Sequence, residues 1–192
     1  MNGKLWWYMA RSSGMVAWLV LVAAVVWGAL LAGRLVSRPG TPRWLTDVHR
    51  YLGGLAVAMT GLHLTALAAD SYSHFGWAET LVPYASSWKP GAVAWGVVAM
   101  YLLLVVEVTS LVQRRLPRRW WKAIHFSSYL LFWMATMHGI TAGTDAQTPA
   151  FRIGLALGVI ATTYAVLART LSVLRLPPSR RPTATPPRPA TP

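Results

Sequence analysis

Apolar residues dominate five stretches of the chain, approximately Gly14 to Gly33, Asp47 to Ala69, Gly91 to Val112, Trp120 to Ala142 and Phe151 to Leu174. Each is about 20 residues or longer, the length a helix needs to cross a hydrocarbon core of about 30 Å. The pattern predicts an all-α fold, an integral membrane bundle of five transmembrane helices. The first stretch is longer than the apolar part of a secretory signal and no A-x-A cleavage site follows it, so it is expected to stay as a helix. Residues 1–13 are expected to form an interfacial N-terminal segment and residues 14–176 the membrane domain. Residues 177–192, rich in Pro, Thr, Arg and Ala, are expected to form a disordered cytoplasmic tail.

Charge adds a direction to this picture. Only 12% of the 192 residues are charged while 55% are hydrophobic, which excludes an ordinary soluble domain, where about 25% are charged. The net charge of +13 does not point to nucleic acid, because the bases are confined to short loops and the tail beside apolar spans. Arg34, Arg38 and Arg43 fall in the first loop, Arg114, Arg115, Arg118 and Arg119 in the third, and Arg175, Arg180, Arg181 and Arg188 at the C-terminal end. The second loop carries only Lys89, and the fourth, from Gly143 to Ala150, carries no base. Lys and Arg favour the cytoplasmic side, so the expectation is a multi-pass protein of the plasma membrane with its N-terminus outside and its C-terminus in the cytoplasm. Trp6, Trp7, Trp44, Trp77, Trp88, Trp120 and Trp121 lie near span ends, as residues of an interfacial aromatic belt do. The chain has no cysteine, which excludes disulfides, cysteine-ligated Fe–S clusters and thiol catalysis within it.

Four histidines then stand out, because they sit inside apolar stretches as two pairs, His49 with His63 and His125 with His138, 14 and 13 residues apart. At about 1.5 Å per residue each pair spans roughly 20 Å of helix, which puts one histidine towards each side of the membrane. The two stretches are separated by one crossing and run in the same direction. His49 and His125 therefore share the cytoplasmic side, and His63 and His138 the outer side. A lone imidazole is a polar burden in lipid, whereas two on facing helices can fill both axial positions of a b-type haem, so the pattern reads as a cage for two stacked haems. Interhelical hydrogen bonding is the plainer alternative. Zn or Cu binding would need the levels to act separately, since histidines about 20 Å apart cannot share an ion. Fourteen residues return to within about 40° of the starting direction, but thirteen leave His125 and His138 roughly 140° apart on an ideal helix. Supercoiling, a local irregularity, or haems held on different sides of that helix would absorb the difference.

The run Trp121-Lys122-Ala123-Ile124-His125-Phe126-Ser127-Ser128-Tyr129, followed by His138-Gly139-Ile140-Thr141-Ala142-Gly143-Thr144-Asp145, resembles the ferric reductase-like transmembrane domain. The two pair spacings match as well, and the resemblance covers about Trp44 to Thr170. That family includes the haem cores of NADPH oxidases and ferric reductases, and the haem membrane subunit of a bacterial periplasmic methionine-sulfoxide reductase system. The resemblance implies that His49 and His125 ligate the iron of an inner haem b, and His63 and His138 that of an outer one. It further implies electron transfer from a cytoplasmic or quinol donor to an outer acceptor. Common members carry the pairs on the third and fifth of six helices, whereas here they fall on the second and fourth of five. No Rossmann-type fingerprint is present. The chain is thus expected to be an oxidoreductase component that relies on a separate flavoprotein or reductase, or on a membrane quinol, with quinone or flavin entering through that partner.

Arg50, next to His49, is the expected partner of an inner-haem propionate, among the bases Arg43, Arg118, Arg119 and Lys122. Gly53, Gly54 and Gly61 allow either close helix packing or approach of a flat macrocycle. Glu107 is expected to bond Thr109 or Ser110 or to pair with a loop arginine, with proton transfer as the functional alternative. His74 is expected in a solvated outer loop, and Met134 and Met137 in the core. The competing function class is a non-catalytic transporter or assembly factor with structural histidines, and a single-haem variant stands between the two.

Overall fold

The computed structural model describes residues 3–33, 42–70 and 75–175. The expectations for Arg34, Arg38, His74 and the tail 177–192 lie outside the described residues. The rest is helical, with no strand among the described residues: α1 Gly3–Ala32, α2 Trp44–Ala69, α3 Trp77–Leu81, α4 Pro90–Leu111, α5 Arg118–Phe126, α6 Ser128–Ala142 and α7 Pro149–Arg175. Proline marks three of the starts, as the first residue of α4 and α7 and the residue before α5. There its missing N–H would have no helical partner in any case.

Four of these helices are long and apolar enough to cross a membrane, over Lys4–Ala32, Trp44–Ala69, Pro90–Leu111 and Pro149–Ser172. Residues 3–13, expected as a separate interfacial segment, form the first turns of α1. The stretch expected as the fourth span is divided at Ser127 into α5 and α6. The Ser127 amide bonds Ile124 O, three residues back, at 3.0 Å, and its hydroxyl donates to the same carbonyl at 2.6 Å. This tight turn ends one helix while Leu131 N, bonding Ser127 O at 2.8 Å, begins the next.

The helices form two antiparallel partnerships. α1 packs on α2 and also touches α7 and α6, while α4 packs on α6 and α5. The core lies between them: Leu21, Val22 and Val25 of α1, Ala56 of α2, Ala99 and Leu103 of α4, and Leu131 and Phe132 of α6. Trp18 stacks beside Phe132, with ring centroids 6.5 Å apart, and donates its indole N–H to the buried Thr136 hydroxyl at 3.0 Å. Met134 packs against this cluster, as expected of a core methionine. Ile153, Leu157, Ile160, Tyr164, Leu167 and Leu171 remain exposed along one side of α7, at the three- and four-residue spacing of a single helix face. A face of that kind suits lipid.

One ion pair ties the fold together at the end that carries His63 and His138. Arg11 of α1 grips Asp145, in the α6–α7 loop, through two guanidinium nitrogens. Its side chains are 32% and 18% exposed, between the regimes of surface and buried pairs. Arg11→Ala and Asp145→Ala are each expected to lower stability by about 1–2 kcal/mol, and the double variant by little more than either. Thermal denaturation in detergent checks this, and full additivity of the two losses would show that the pair is uncoupled.

Candidate functional site

The sequence pairs the histidines along each helix; the fold pairs them across helices. His49 of α2 faces His125 of α5 with ring centroids 6.0 Å apart, and His63 of α2 faces His138 of α6 at 6.4 Å. In both pairs the ring planes cross at 76°. The phase mismatch expected between His125 and His138 is resolved by the break at Ser127, since α5 and α6 turn independently on either side of it. All four side chains are half-buried.

The backing of each ring decides which nitrogen is free. His63 Nδ1 lies 2.7 Å from Ala10 O on α1, and His138 Nδ1 lies 2.8 Å from Ala92 O on α4. A carbonyl only accepts, so Nδ1 carries the hydrogen and Nε2 keeps its lone pair. His49 Nδ1 is buried without a hydrogen-bond partner, its ring lying against Gly28 of α1. His125 Nδ1 lies 3.4 Å from Ser110 Oγ, whose own hydrogen goes to Val106 O at 2.7 Å, so the serine oxygen is again the acceptor. Trp121, one helical turn before His125, stacks on it with centroids 5.1 Å apart.

A linear imidazole–metal–imidazole unit has bonds of about 2.0 Å and about 1.1 Å from nitrogen to ring centre, so its two centroids stand about 6.2 Å apart. Both pairs fall at this separation. Among the described residues, no group of three or more His, Cys, Asp or Glu could hold a metal ion. Two facing imidazoles without further protein donors would suit a metal whose other ligands come from a bound cofactor. Two buried polar atoms at the first level, His49 Nδ1 and Trp121 Nε1, have no hydrogen-bond partner. The open clefts beside Tyr8 and Met15 and beside Ile140 and Phe151, of about 310 and 240 Å³, include none of the histidines.

The family model described as ferric reductase like transmembrane component matches residues 13–136. The chain belongs to this family. No curated protein and no solved structure matches it. The ferric reductase-like match begins in α1, earlier than the resemblance read from the sequence, and contains His49, His63 and His125. It stops two residues before His138, which the fold places 6.4 Å from His63, as the shared depth of the two predicts.

Within this ferric reductase-like bundle, other expected residues fall in varied places. Arg50 is not part of either pair; it points outward, more than half exposed, in a loose ion pair with Asp47 at 3.6 Å. Glu107 lies against Gly53 of α2, in the α2–α4 interface, while Thr109 and Ser110 bond the carbonyls of their own helix. Gly54 and Gly61 face open space. Trp121, expected in the interfacial belt, also covers His125, and its i,i+4 spacing from that histidine was the available signal. Arg169 of α7 was not singled out. Its guanidinium lies 4.8 Å over the Phe126 ring, donates to the Tyr129 hydroxyl and acts electrostatically on His125.

Proposed function

We propose that the chain is a di-haem b electron-transfer module that passes single electrons across the plasma membrane. His49 and His125 would hold the iron of an inner haem, and His63 and His138 that of an outer one. The observation that carries this reading is the pair of cross-helix histidine contacts at 6.0 and 6.4 Å, the separation a bridged metal requires. Ferric reductase-like domains generally bind haem, which supports it. When bound, haem iron supplies reversible one-electron chemistry. The chain's own residues hold the two levels roughly 20 Å apart along α2. They also favour an unprotonated Nε2 on His63, His125 and His138 by placing an acceptor at Nδ1, and pack the layer of Trp18, Leu131 and Phe132 between the levels.

In this reading α5 and α6 together form the fourth of five crossings, with the N-terminus outside and Arg43, Arg114, Arg115, Arg118 and Arg119 on the cytoplasmic side. Arg50 and Arg169, at the inner level, supply positive charge for the carboxylates of the inner group. Electrons enter from a membrane quinol or a reductase and leave to an outer acceptor or flavoprotein partner. Outward transfer costs about 2.3 kcal/mol per electron for each 100 mV of membrane potential, so the acceptor must be more oxidising than the donor by at least that margin.

The test is the full chain purified in detergent, with a dithionite-reduced minus oxidised spectrum and a pyridine haemochrome assay. Two b-type haems per chain are expected. One haem per chain would leave a single-haem module, and a spectrum without b-type bands would overturn the reading in favour of structural histidines.

A further inference from the structure

α1 and α4 contain no candidate ligand, yet every histidine of the two pairs leans on one of them. An ideal Cβ placed on Gly14 of α1 would stand 3.0 Å from His63 Nδ1, and one on Gly28 would stand 2.8 Å from His49 Cε1. On α4, a Cβ at Gly96 would stand 2.7 Å from both Nδ1 and Cε1 of His138. For Gly14 and Gly96 the carbonyl bonded by the histidine Nδ1 belongs to the residue four before the glycine, Ala10 and Ala92, whereas His49 fits against Gly28 without a hydrogen bond from Nδ1. Of the six A-x-x-x-G segments in the chain, the three that end at Gly14, Gly28 and Gly96 lie against a histidine ring. In a helix, the side chain at position i covers the carbonyl at i−4. Glycine there uncovers it, and a ring can settle into the notch. The fourth position, Val106-x-x-x-Ser110, solves the same problem differently, by relaying the carbonyl through a serine hydroxyl.

We propose that Gly14, Gly28, Gly96 and Ser110 are positioning residues for the four axial histidines, and that α1 and α4 are the helices that set ring orientation and tautomer. This rests on the di-haem reading. The notches on α1 are 14 residues apart, as are His49 and His63, and Gly96 and Ser110 repeat that interval on α4. Each notch helix therefore serves both levels in one antiparallel register. An Nδ1–H held by an acceptor makes the imidazole a stronger donor at Nε2, which favours ferric iron and lowers the potential of that level.

The experiment compares Gly14→Ala, Gly28→Ala, Gly96→Ala and Ser110→Ala with Gly54→Ala and Gly61→Ala, whose added methyl groups would meet nothing within 4 Å. Haem content, redox titration and low-spin haem spectra are measured on the full chain in detergent. Gly14→Ala and Gly96→Ala are expected to raise the potential of the outer haem alone and to loosen its retention about tenfold. Gly28→Ala and Ser110→Ala are expected to raise that of the inner haem alone, and the two control variants to match the wild type. Ser110→Ala inserts no atom into the bundle, so it carries the test if a glycine variant misfolds. Wild-type protein without haem overturns the di-haem reading itself. Wild-type haem content with unshifted notch variants, or shifts of both haems together in every variant, overturns the positioning role alone.

Discussion

Replacing His138 with alanine is expected to take the purified chain from two b-type haems to one. His138 and His63 face each other across 6.4 Å at one level, and His49 and His125 do so across 6.0 Å at the other. Along α2 the levels stand roughly 20 Å apart, so a ligand lost at one has no substitute from the other. The sixth coordination position would then be empty in a bundle that offers no third histidine, cysteine or carboxylate within reach among the described residues. His63→Ala is expected to produce the same loss, and the His63/His138 double variant no further one, because two ligands of one iron act as a unit. His49→Ala and His125→Ala are expected to remove the complementary haem, recognisable by the potential that survives. A His138 variant that kept both haems at wild-type potentials would strike it from the ligand set and leave His63 without its partner. This outcome matters most at His138, which lies beyond the residues matched by the family model.

The histidine levels were legible in the sequence because depth in a membrane helix follows from residue count, and the 14- and 13-residue intervals carry that count directly. The break at Ser127 was not legible. Serine is common in membrane helices, and whether its hydroxyl turns back onto Ile124 O or points elsewhere is decided by packing. The 140° phase error was the available signal, and a local irregularity was one of three ways of absorbing it. α1 was read only as a hydrophobic span, since its apolar residues surround it without a preferred face. Its glycines Gly14 and Gly28 held the information, at the interval of the histidines they oppose. Arg50 follows His49 in sequence and so stands about 100° around α2 from it, where its side chain is exposed and pairs loosely with Asp47. Charge placement suggested orientation, whereas the Arg11–Asp145 pair depended on contact between segments 134 residues apart.

Ala56→Leu is expected to weaken both haem levels together, a pattern that no single histidine substitution produces. His49, Ala56 and His63 follow at seven-residue intervals on α2, as do Gly14, Leu21 and Gly28 on α1. Because Gly14 receives His63 and Gly28 receives His49, the antiparallel register brings Leu21 opposite Ala56. Large residues on α2 thus meet small ones on α1 at the two levels, and the order reverses midway, where Leu21 and Ala56 share the core. Ala56 is 1% exposed, and three further carbons there have no room without moving α2 away from its neighbours. Overpacking of this kind costs about 1–3 kcal/mol. In lipid the association of helices depends on close packing rather than on escape from water, so the added apolar surface gives no compensating gain. Displacement of α2 at its midpoint moves His49 and His63 alike from His125 and His138. The haem assay should therefore show both b-type components falling in parallel, with a lower melting temperature in detergent, while Ala56→Ser, close to alanine in volume, retains both. Loss of only one component from Ala56→Leu would mean that the two levels are held independently rather than by a shared α1–α2 register.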